Sequence, residues 1–247
     1  MEFFTLLLIF AIAILIGILS SMAGLGGGFL TVPVLVLIFG LSEKNAIGTS
    51  TLVITFLGLS SAISYNKKKL LDLGLVIPLA IGALIGAQVG ALLTSPLPGE
   101  MLRTLLGIVF ILVSIFMIFR KDKESDFPYD LSKIMLLISG FLIGIYSGLL
   151  GLGGGSIMVP FLNFLGVPIH YAVASSACIT FFSGLSGATR HFLLEQVDFQ
   201  IGLVLSLGVI IGAQIGPNIS VRLKPDTLKV FFAFILAIIG VLMLIRP

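Results

Sequence analysis

The sequence predicts an all-α polytopic membrane protein made of two homologous repeats. Of the 247 residues, 58% are hydrophobic and only 10% are Asp, Glu, Lys or Arg, whereas soluble domains carry about 25% charged residues. Long apolar stretches follow one another with short polar joints, and about 20 apolar residues in a helix cross the hydrocarbon core of a bilayer. A glycine-rich motif, GLGGG, occurs at 24–28 and again at 151–155. The lipid bilayer is therefore the expected environment of nearly the whole chain.

The two halves of the chain align with each other over their length. A shift of 126 or 127 residues places GLGGGFLTVP at 24–33 on GLGGGSIMVP at 151–160, and GAQVG at 86–90 on GAQIG at 212–216. Each glycine tract is followed by a proline at the same position, which further weakens helical continuity. We interpret this ordered set of matches as a duplication.

The alignment divides the chain into a first transmembrane repeat at 1–120, a linker at 121–130 and a second transmembrane repeat at 131–247. Each repeat holds five apolar segments, of which four are long enough to cross a bilayer. The second segment of each repeat, 29–41 or 156–167, would reach only about 18 Å as a helix. It is therefore a half-helix, a strongly tilted helix or part of a re-entrant element. The ten predicted segments are 3–23, 29–41, 46–65, 73–93, 101–119, 131–150, 156–167, 171–191, 199–221 and 227–245.

The distribution of basic residues favours an inverted arrangement of the repeats over a parallel one. An odd number of crossings in the first repeat inverts the second, and an even number leaves the two parallel. Five crossings per repeat place ten Lys and Arg residues on one side and four on the other, whereas four crossings give nine and five. Because cytoplasmic loops carry an excess of Lys and Arg, the five-crossing arrangement is favoured.

The two GLGGG tracts predict helix breaks at membrane depth. Non-helical backbone is tolerated there only where it is buried in protein or lines a wet cavity. A broken helix offers free N–H groups and a positive dipole end to an anion, and glycine lets a ligand approach the backbone. Paired breaks in two repeats are typical of secondary transporters, although glycines also permit close helix packing alone. The predicted substrate-binding backbone is Gly26, Gly27, Gly28, Gly153, Gly154 and Gly155.

Polar side chains in the third and fourth segments extend this predicted substrate site. Hydroxyl groups can bind the oxygens of an anion, or they can bond to carbonyls of their own helix. Gln88 and Gln214 lie among glycines spaced four apart, a pattern that predicts close helix contact, so each amide either touches substrate or bonds across the helix pair. The predicted hydroxyl ligands are Thr49, Ser50, Thr51, Ser175 and Ser176.

Ionisable residues lie almost entirely at segment ends, which limits the chemistry inside the bundle. The absence of Asp and Glu from the middle of the spans argues against a carboxylate site for cations. Arg190 and His191 end one segment, where they either anchor the helix at the interface or attract an anion and carry a proton. A single cysteine, Cys178, allows no internal disulfide and no multi-cysteine metal site. No cofactor, metal or nucleic-acid partner is expected.

The ordered motifs resemble the sulfite exporter TauE/SafE family, within the 4-toluene sulfonate uptake permease group. The resemblance is carried by the GLGGG…VP breaks, GTST at 48–51, SSAC at 175–178 and the two GAQxG copies, and it covers essentially the whole chain. It implies a cell-membrane transporter of sulfite, sulfonates such as sulfoacetate, or related sulfur-containing anions, often outward. Helix N-termini and hydroxyls suit such a small anionic substrate without singling out sulfur. The coupling ion, proton or sodium, and a homo-oligomeric state stay open.

Two other function classes compete with a carrier. An anion channel would use the same donors but needs a continuous pore, whereas paired breaks fit alternating access. GLSG at 184–187 has the form of an intramembrane serine protease motif. His191, however, follows Ser186 by five residues, about 140° around a helix, and so cannot easily act as its base. The sequence therefore predicts a transporter that is not an enzyme.

Overall fold

The protein is a bundle of α-helices, as the sequence predicts. The computed structural model describes residues 3–24, 26–119, 131–220 and 225–245, and the regular elements in these ranges are all helical. Six of these helices are long and apolar enough to cross a membrane within the described residues, and α1 and α10, with 21 residues each, also have a spanning length. The predicted linker at 121–130 lies outside the described residues. The helices are α1 (Phe3–Ala23), α2 (Gly28–Leu37), α3 (Glu43–Lys67), α4 (Leu73–Thr94), α5 (Gly99–Phe119), α6 (Lys133–Leu150), α7 (Gly155–Phe164), α8 (Ile169–Leu193), α9 (Phe199–Ser220) and α10 (Pro225–Ile245).

Both predicted helix breaks are present. α1 ends at Ala23 and α2 begins at Gly28, while α6 ends at Leu150 and α7 begins at Gly155. The first break contains Gly26 at φ 88° and Gly27 at φ 79°, and the second begins with Gly151 at φ 68°. Side chains disfavour this left-handed backbone, which explains why glycine occupies it. The segments after the breaks, α2 and α7, have only 10 residues each.

Two long helices, α3 and α8, cross at the centre of the bundle. Gly58 of α3 lies against Phe181 of α8, and Gly184 of α8 lies against Thr55 of α3. Residue numbers thus fall along one helix as they rise along the other, so the helices are antiparallel. They are also the most buried of the membrane-spanning helices that the structure describes.

The remaining long helices pair across the two halves of the chain. α1 packs along α9 and α4 along α6, each pair running parallel, whereas α5 packs against α10 in the opposite sense. In α4 the contact is made by glycines four residues apart, each lying against a carbonyl of α6. These contacts are Gly82 with Leu137, Gly86 with Phe141 and Gly90 with Ile145. The close helix contact predicted from the glycine spacing is therefore confirmed.

Each short helix belongs to a re-entrant hairpin. The hydroxyl of Tyr65, near the end of α3, donates to the carbonyl of Ser21 near the end of α1 at 2.8 Å, so α1 runs in the same direction as α3. α2 then returns toward the start of α3, to which it is joined by a short loop. For the second segment, the sequence predicts a half-helix, a strongly tilted helix or part of a re-entrant element, and the structure shows the re-entrant element.

Lys44 and Lys68 lie at opposite ends of the bundle, which are called the Lys44 end and the Lys68 end. α3 begins at the Lys44 end and finishes at the Lys68 end. Among residues with described side chains, the Lys44 end also holds Arg103 and Arg190, and the Lys68 end holds Lys133 and the neighbouring residues 67 and 69. Antiparallel pairing of α3 with α8, and of α5 with α10, is the orientation that an inverted repeat requires. If the two halves share an origin, they are inverted copies.

Candidate functional site

The two glycine breaks lie against each other at the centre of the bundle. A Cβ atom added to Gly26 would overlap the carbonyl of Gly153, and one added to Gly28 would overlap the carbonyl of Gly151. A Cβ on Gly153 would in turn lie 2.6 Å from the carbonyl oxygen of Gly26. At these predicted site positions, glycine is required for backbone to pack on backbone.

The other predicted glycines have different surroundings. Gly27 faces the side chain of Leu57, and Gly154 faces that of Ile143. The backbone N–H of Gly155 donates to the carbonyl of Gly153. None of these three contacts involves a polar side chain.

Two of the predicted hydroxyl ligands seal the ends of the broken helices. Ser176 of α8 donates to the carbonyl of Gly24 at 2.8 Å, and Ser50 of α3 donates to the carbonyl of Gly151 at 2.7 Å. Carbonyls at a helix end have no partner in their own helix, and lipid cannot supply one. The two serines therefore stabilise the breaks from equivalent positions.

The remaining three predicted hydroxyls share no hydrogen-bond partner among the described residues. Thr49 accepts a hydrogen bond from the N–H of Asp198 at 2.9 Å, and Thr51 donates to the carbonyl of Gly48 in its own helix at 2.6 Å. Ser175 is buried, and its hydroxyl has no partner among the described residues.

Both predicted glutamines bond across helix pairs. Gln88 donates to the carbonyl of Ser186 at 2.8 Å and accepts from Arg190 at 3.0 Å. Gln214 donates to the carbonyl of Ser60 at 2.9 Å. These contacts follow the helix-packing alternative, in which each amide joins α4 to α8 or α9 to α3.

A small cavity with a largely apolar surface lies beside the first break, on its Lys68 side. The space between its atoms is about 200 Å³, within which about one water-sized group fits. Gly26 is the predicted site residue that lines it. The lining residues are Ser20, Ser21, Gly24, Gly26, Leu57, Ser61, Tyr65, Ala177 and Thr180.

Three hydroxyls of this cavity lack a hydrogen-bond partner within the described part of the chain. They belong to Ser20, Ser61 and Thr180, whose exposed fractions are 0%, 1% and 0%. A buried polar group without a partner costs about 1–3 kcal/mol. Three such groups around one cavity require an acceptor of hydrogen bonds, which makes this cavity the candidate ligand site. Sequence reasoning missed all three as site residues, although Ser20 closely precedes the first glycine tract and Thr180 follows SSAC by two residues.

Two hydrogen-bonding contacts at aligned positions lie on opposite sides of the breaks. Tyr65 donates to the Ser21 carbonyl at 2.8 Å, and His191 Nε2 lies 2.9 Å from the Gly148 carbonyl. The repeat alignment pairs Tyr65 with His191 and Ser21 with Gly148. His191 is 0% exposed, and its Nδ1 lies 2.8 Å from Gln196 Oε1. The expectation that His191 anchors its helix at the interface is therefore wrong, because the ring is enclosed by protein.

The two halves differ in how their polar groups are satisfied. Ser147 donates to Ser183 at 3.0 Å, and these two serines align with Ser20 and Leu57 of the first half. Since Leu57 offers no acceptor in its side chain, Ser20 is left without the partner that Ser147 has. This difference explains why the hydroxyl of Ser20 has no partner among the described residues.

Residues 9–243 match the sulfite exporter TauE/SafE family. The chain is 29% identical to the probable membrane transporter protein YunE of Bacillus subtilis, over 93% of each chain. It is 29% identical to a probable membrane transporter protein of Methanocaldococcus jannaschii, over 99% of this chain and 97% of the relative. It is 28% identical to the probable membrane transporter protein YfcA of Escherichia coli, over 85% of this chain and 79% of the relative. No solved structure matches the chain.

Proposed function

The chain belongs to the sulfite exporter TauE/SafE family of multi-pass membrane transporters, and from this premise we propose that it carries small sulfur-containing oxyanions by alternating access. The observation that carries the proposal is the cavity in which Ser20, Ser61 and Thr180 have unpaired hydroxyls beside a helix break. Broken helices inside a bundle are the usual location of a transporter's substrate site.

The chemistry of the cavity suits an oxyanion such as sulfite or a sulfonate. The described residues of its lining include hydroxyl donors but no carboxylate that would repel a negative charge. A hydrogen bond to a charged group contributes about 1.5–3 kcal/mol, so several unpaired hydroxyls supply substantial affinity. Gly24 and Gly26 contribute backbone without side chains to the wall of the cavity.

The predicted site residues outside the cavity have a supporting part in this proposal. Gly26, Gly28 and Gly153 let the two breaks touch, and Ser50 and Ser176 hold the ends of the broken helices. Eight further predicted site residues lie outside the cavity, and a loss of transport in their variants would assign them the roles that the sequence predicts. They are Gly27, Gly154, Gly155, Thr49, Thr51, Ser175, Gln88 and Gln214.

Alternating access is supported by the pair of closing contacts. Tyr65 with Ser21 closes the bundle toward the Lys68 end, and His191 with Gly148 closes it toward the Lys44 end. The cavity is too small for a sulfur atom with its oxygens, so this is a closed conformation that must expand to admit substrate. Loss of the Tyr65–Ser21 contact would open the site toward the Lys68 end, and loss of the His191–Gly148 contact would open it toward the Lys44 end.

Export is the direction that the charges favour. Among residues with described side chains, the Lys68 end holds four Lys and the Lys44 end holds three Lys or Arg, which favours the Lys68 end for the cytoplasm. Lys67, Lys68 and Lys69 would then attract anions on the cytoplasmic side. A membrane potential that is negative inside drives an anion outward by about 2.3 kcal/mol per charge and 100 mV.

Catalysis by the GLSG motif has no support in the local geometry. Ser186 donates to the carbonyl of Leu84 at 2.6 Å, whereas both ring nitrogens of His191 lie against Gly148 and Gln196. A nucleophilic serine needs a base within hydrogen-bond reach, and His191 is occupied elsewhere.

The test is transport by the purified protein in proteoliposomes. We expect saturable uptake and counterflow of sulfite and of simple sulfonates, with and without a pH gradient to detect proton coupling. The matched variant combines Ser20→Ala, Ser61→Ala and Thr180→Val, which remove unpaired hydroxyls, and it should insert normally but lose most of the flux. Linear, non-saturating flux would instead identify a channel, and no flux of any sulfur anion by the inserted wild-type protein would contradict the proposal.

A further inference from the structure

We propose that the cavity selects singly charged oxyanions, such as hydrogensulfite or a simple alkanesulfonate, over the dianions sulfite and sulfate. This inference rests on the proposed function and specifies its substrate class. It follows from three features of the cavity: its charge, its hydroxyl donors and its apolar wall.

The described lining of the cavity is electrically neutral. Its polar members are serines, a threonine and a tyrosine, with two glycines between them. The basic residues of the Lys68 end lie outside it: Lys67 and Lys69 are exposed, and Lys68 Nζ bonds to Asn218 Oδ1 at 2.8 Å. Arg190 lies at the opposite end of α8, bound to Gln88. A substrate in the cavity would therefore meet neutral dipoles and no countercharge from these residues.

Neutral donors discriminate steeply against a second negative charge. The cost of moving an ion from water into a medium of low dielectric rises with the square of its charge, so a dianion costs about four times as much as a monoanion of the same size. Hydroxyl dipoles compensate a dianion only about twice as strongly as a monoanion, because the interaction of a charge with a dipole is linear in the charge. The net balance favours the monoanion.

The number of unpaired hydroxyls in the lining matches the number of oxygens in one sulfonate group, which the cavity can admit once it expands. Ser20, Ser61 and Thr180 supply three unpaired hydroxyls, and a sulfonate carries three oxygens. Leu57 and Ala177 form an apolar part of the same wall, where the alkyl group of a small sulfonate can be buried.

The experiment compares three anions in proteoliposomes that contain the full-length protein. Methanesulfonate is a monoanion at every pH used, sulfate is a dianion, and sulfite changes from monoanion to dianion as the pH rises through the loss of the hydrogensulfite proton. We expect methanesulfonate flux to be constant with pH and sulfate flux to stay at background. Sulfite flux should fall about tenfold per pH unit above the titration point of hydrogensulfite. Liposomes without protein correct for sulfur dioxide that crosses the lipid directly.

The outcomes separate this inference from the proposed function. Sulfate flux comparable to methanesulfonate flux would overturn the inference while leaving anion transport intact, as would sulfite flux that does not change over the same pH range. A parallel fall of methanesulfonate flux would also overturn it, since the titrating group would then belong to the protein. Absence of flux for all three anions would contradict the proposed function itself.

Discussion

At the scale of single residues, Thr180 provides the most direct test of the cavity. Thr180 lines the cavity, and its hydroxyl has no partner among the described residues; Thr180→Val replaces that hydroxyl with a methyl group. We expect KM for methanesulfonate to rise about tenfold or more, because a hydrogen bond to a charged group contributes about 1.5–3 kcal/mol. Folding should not suffer, since no internal hydrogen bond is lost. The measurement is the concentration dependence of uptake into proteoliposomes.

The control for Thr180 lies on the same helix. Thr189 is exposed and donates to the carbonyl of Leu185 at 2.8 Å, so Thr189→Val makes the same chemical change away from the cavity. Its KM should equal that of the wild type. An unchanged KM in Thr180→Val would remove that hydroxyl from the set of ligands.

Individual site residues could be predicted only where their role is local. The glycines at the breaks stand out in the sequence because their pattern repeats, and Gly26 does line the cavity. Ser20 and Ser61, by contrast, look like ordinary helix serines, which usually bond to their own backbone. They join Thr180 only because α1, α3 and α8 meet in the folded chain, and no local pattern encodes that meeting.

At the scale of helices, the contact between the two glycine breaks should be essential for stability. Gly26 has φ 88° and packs on the backbone of Gly153, whereas Gly166 has the same φ of 88° with no atom within 4 Å of an added Cβ. Gly166→Ala therefore incurs only backbone strain, about 1–2 kcal/mol. Gly26→Ala adds a backbone clash to the same strain, and we expect it to be several kcal/mol worse or to prevent folding.

A thiol-reactive dye can measure this difference in detergent. Cys178 is the only cysteine of the chain and is buried, so it reacts when the protein unfolds. Gly166→Ala should lower the unfolding temperature by a few degrees, about 2–4 °C for each kcal/mol in a chain of this size, and Gly26→Ala by much more. Equal shifts in the two variants would mean that the breaks do not pack tightly.

Helix boundaries were accessible from the sequence, but the path of the short helices was not. Every predicted segment corresponds to a helix, and the breaks lie at both glycine tracts because their backbone adopts conformations that glycine favours. Whether α2 continues, tilts or turns back depends on what it packs against. The bond between Tyr65 and Ser21, two residues from different segments, reveals the hairpin.

At the scale of the whole molecule, the orientation in the membrane is a testable consequence of the fold. Among residues with described side chains, the Lys68 end carries one more basic residue than the Lys44 end, and we expect it to face the cytoplasm. In a Cys178→Ser background, Lys68→Cys should react with an impermeant thiol reagent only after the cells are permeabilised. Lys44→Cys, at the opposite end, should react in intact cells.

The opposite labelling pattern would reverse the assignment and, with it, the side toward which the cavity opens. Reaction of both cysteines in intact cells would mean that the bundle does not span the membrane as described.

The basic-residue pattern predicts this orientation from the sequence. The pairing of α1 with α9 and of α4 with α6 became visible only in the fold, because equally spaced glycines in several helices do not specify their partners.

The exchange of partners between halves has a consequence for biogenesis. α1 is made first, yet the helix it packs along, α9, is among the last to leave the ribosome. Until α9 is inserted, the surface of α1 that packs against Gly208, Gly212 and Gly216 has no partner. This surface of α1 is then exposed to lipid or bound by a chaperone. Two half-chains encoded on separate genes should consequently mature only when they are produced together, and a stalled half should be a substrate for membrane proteases.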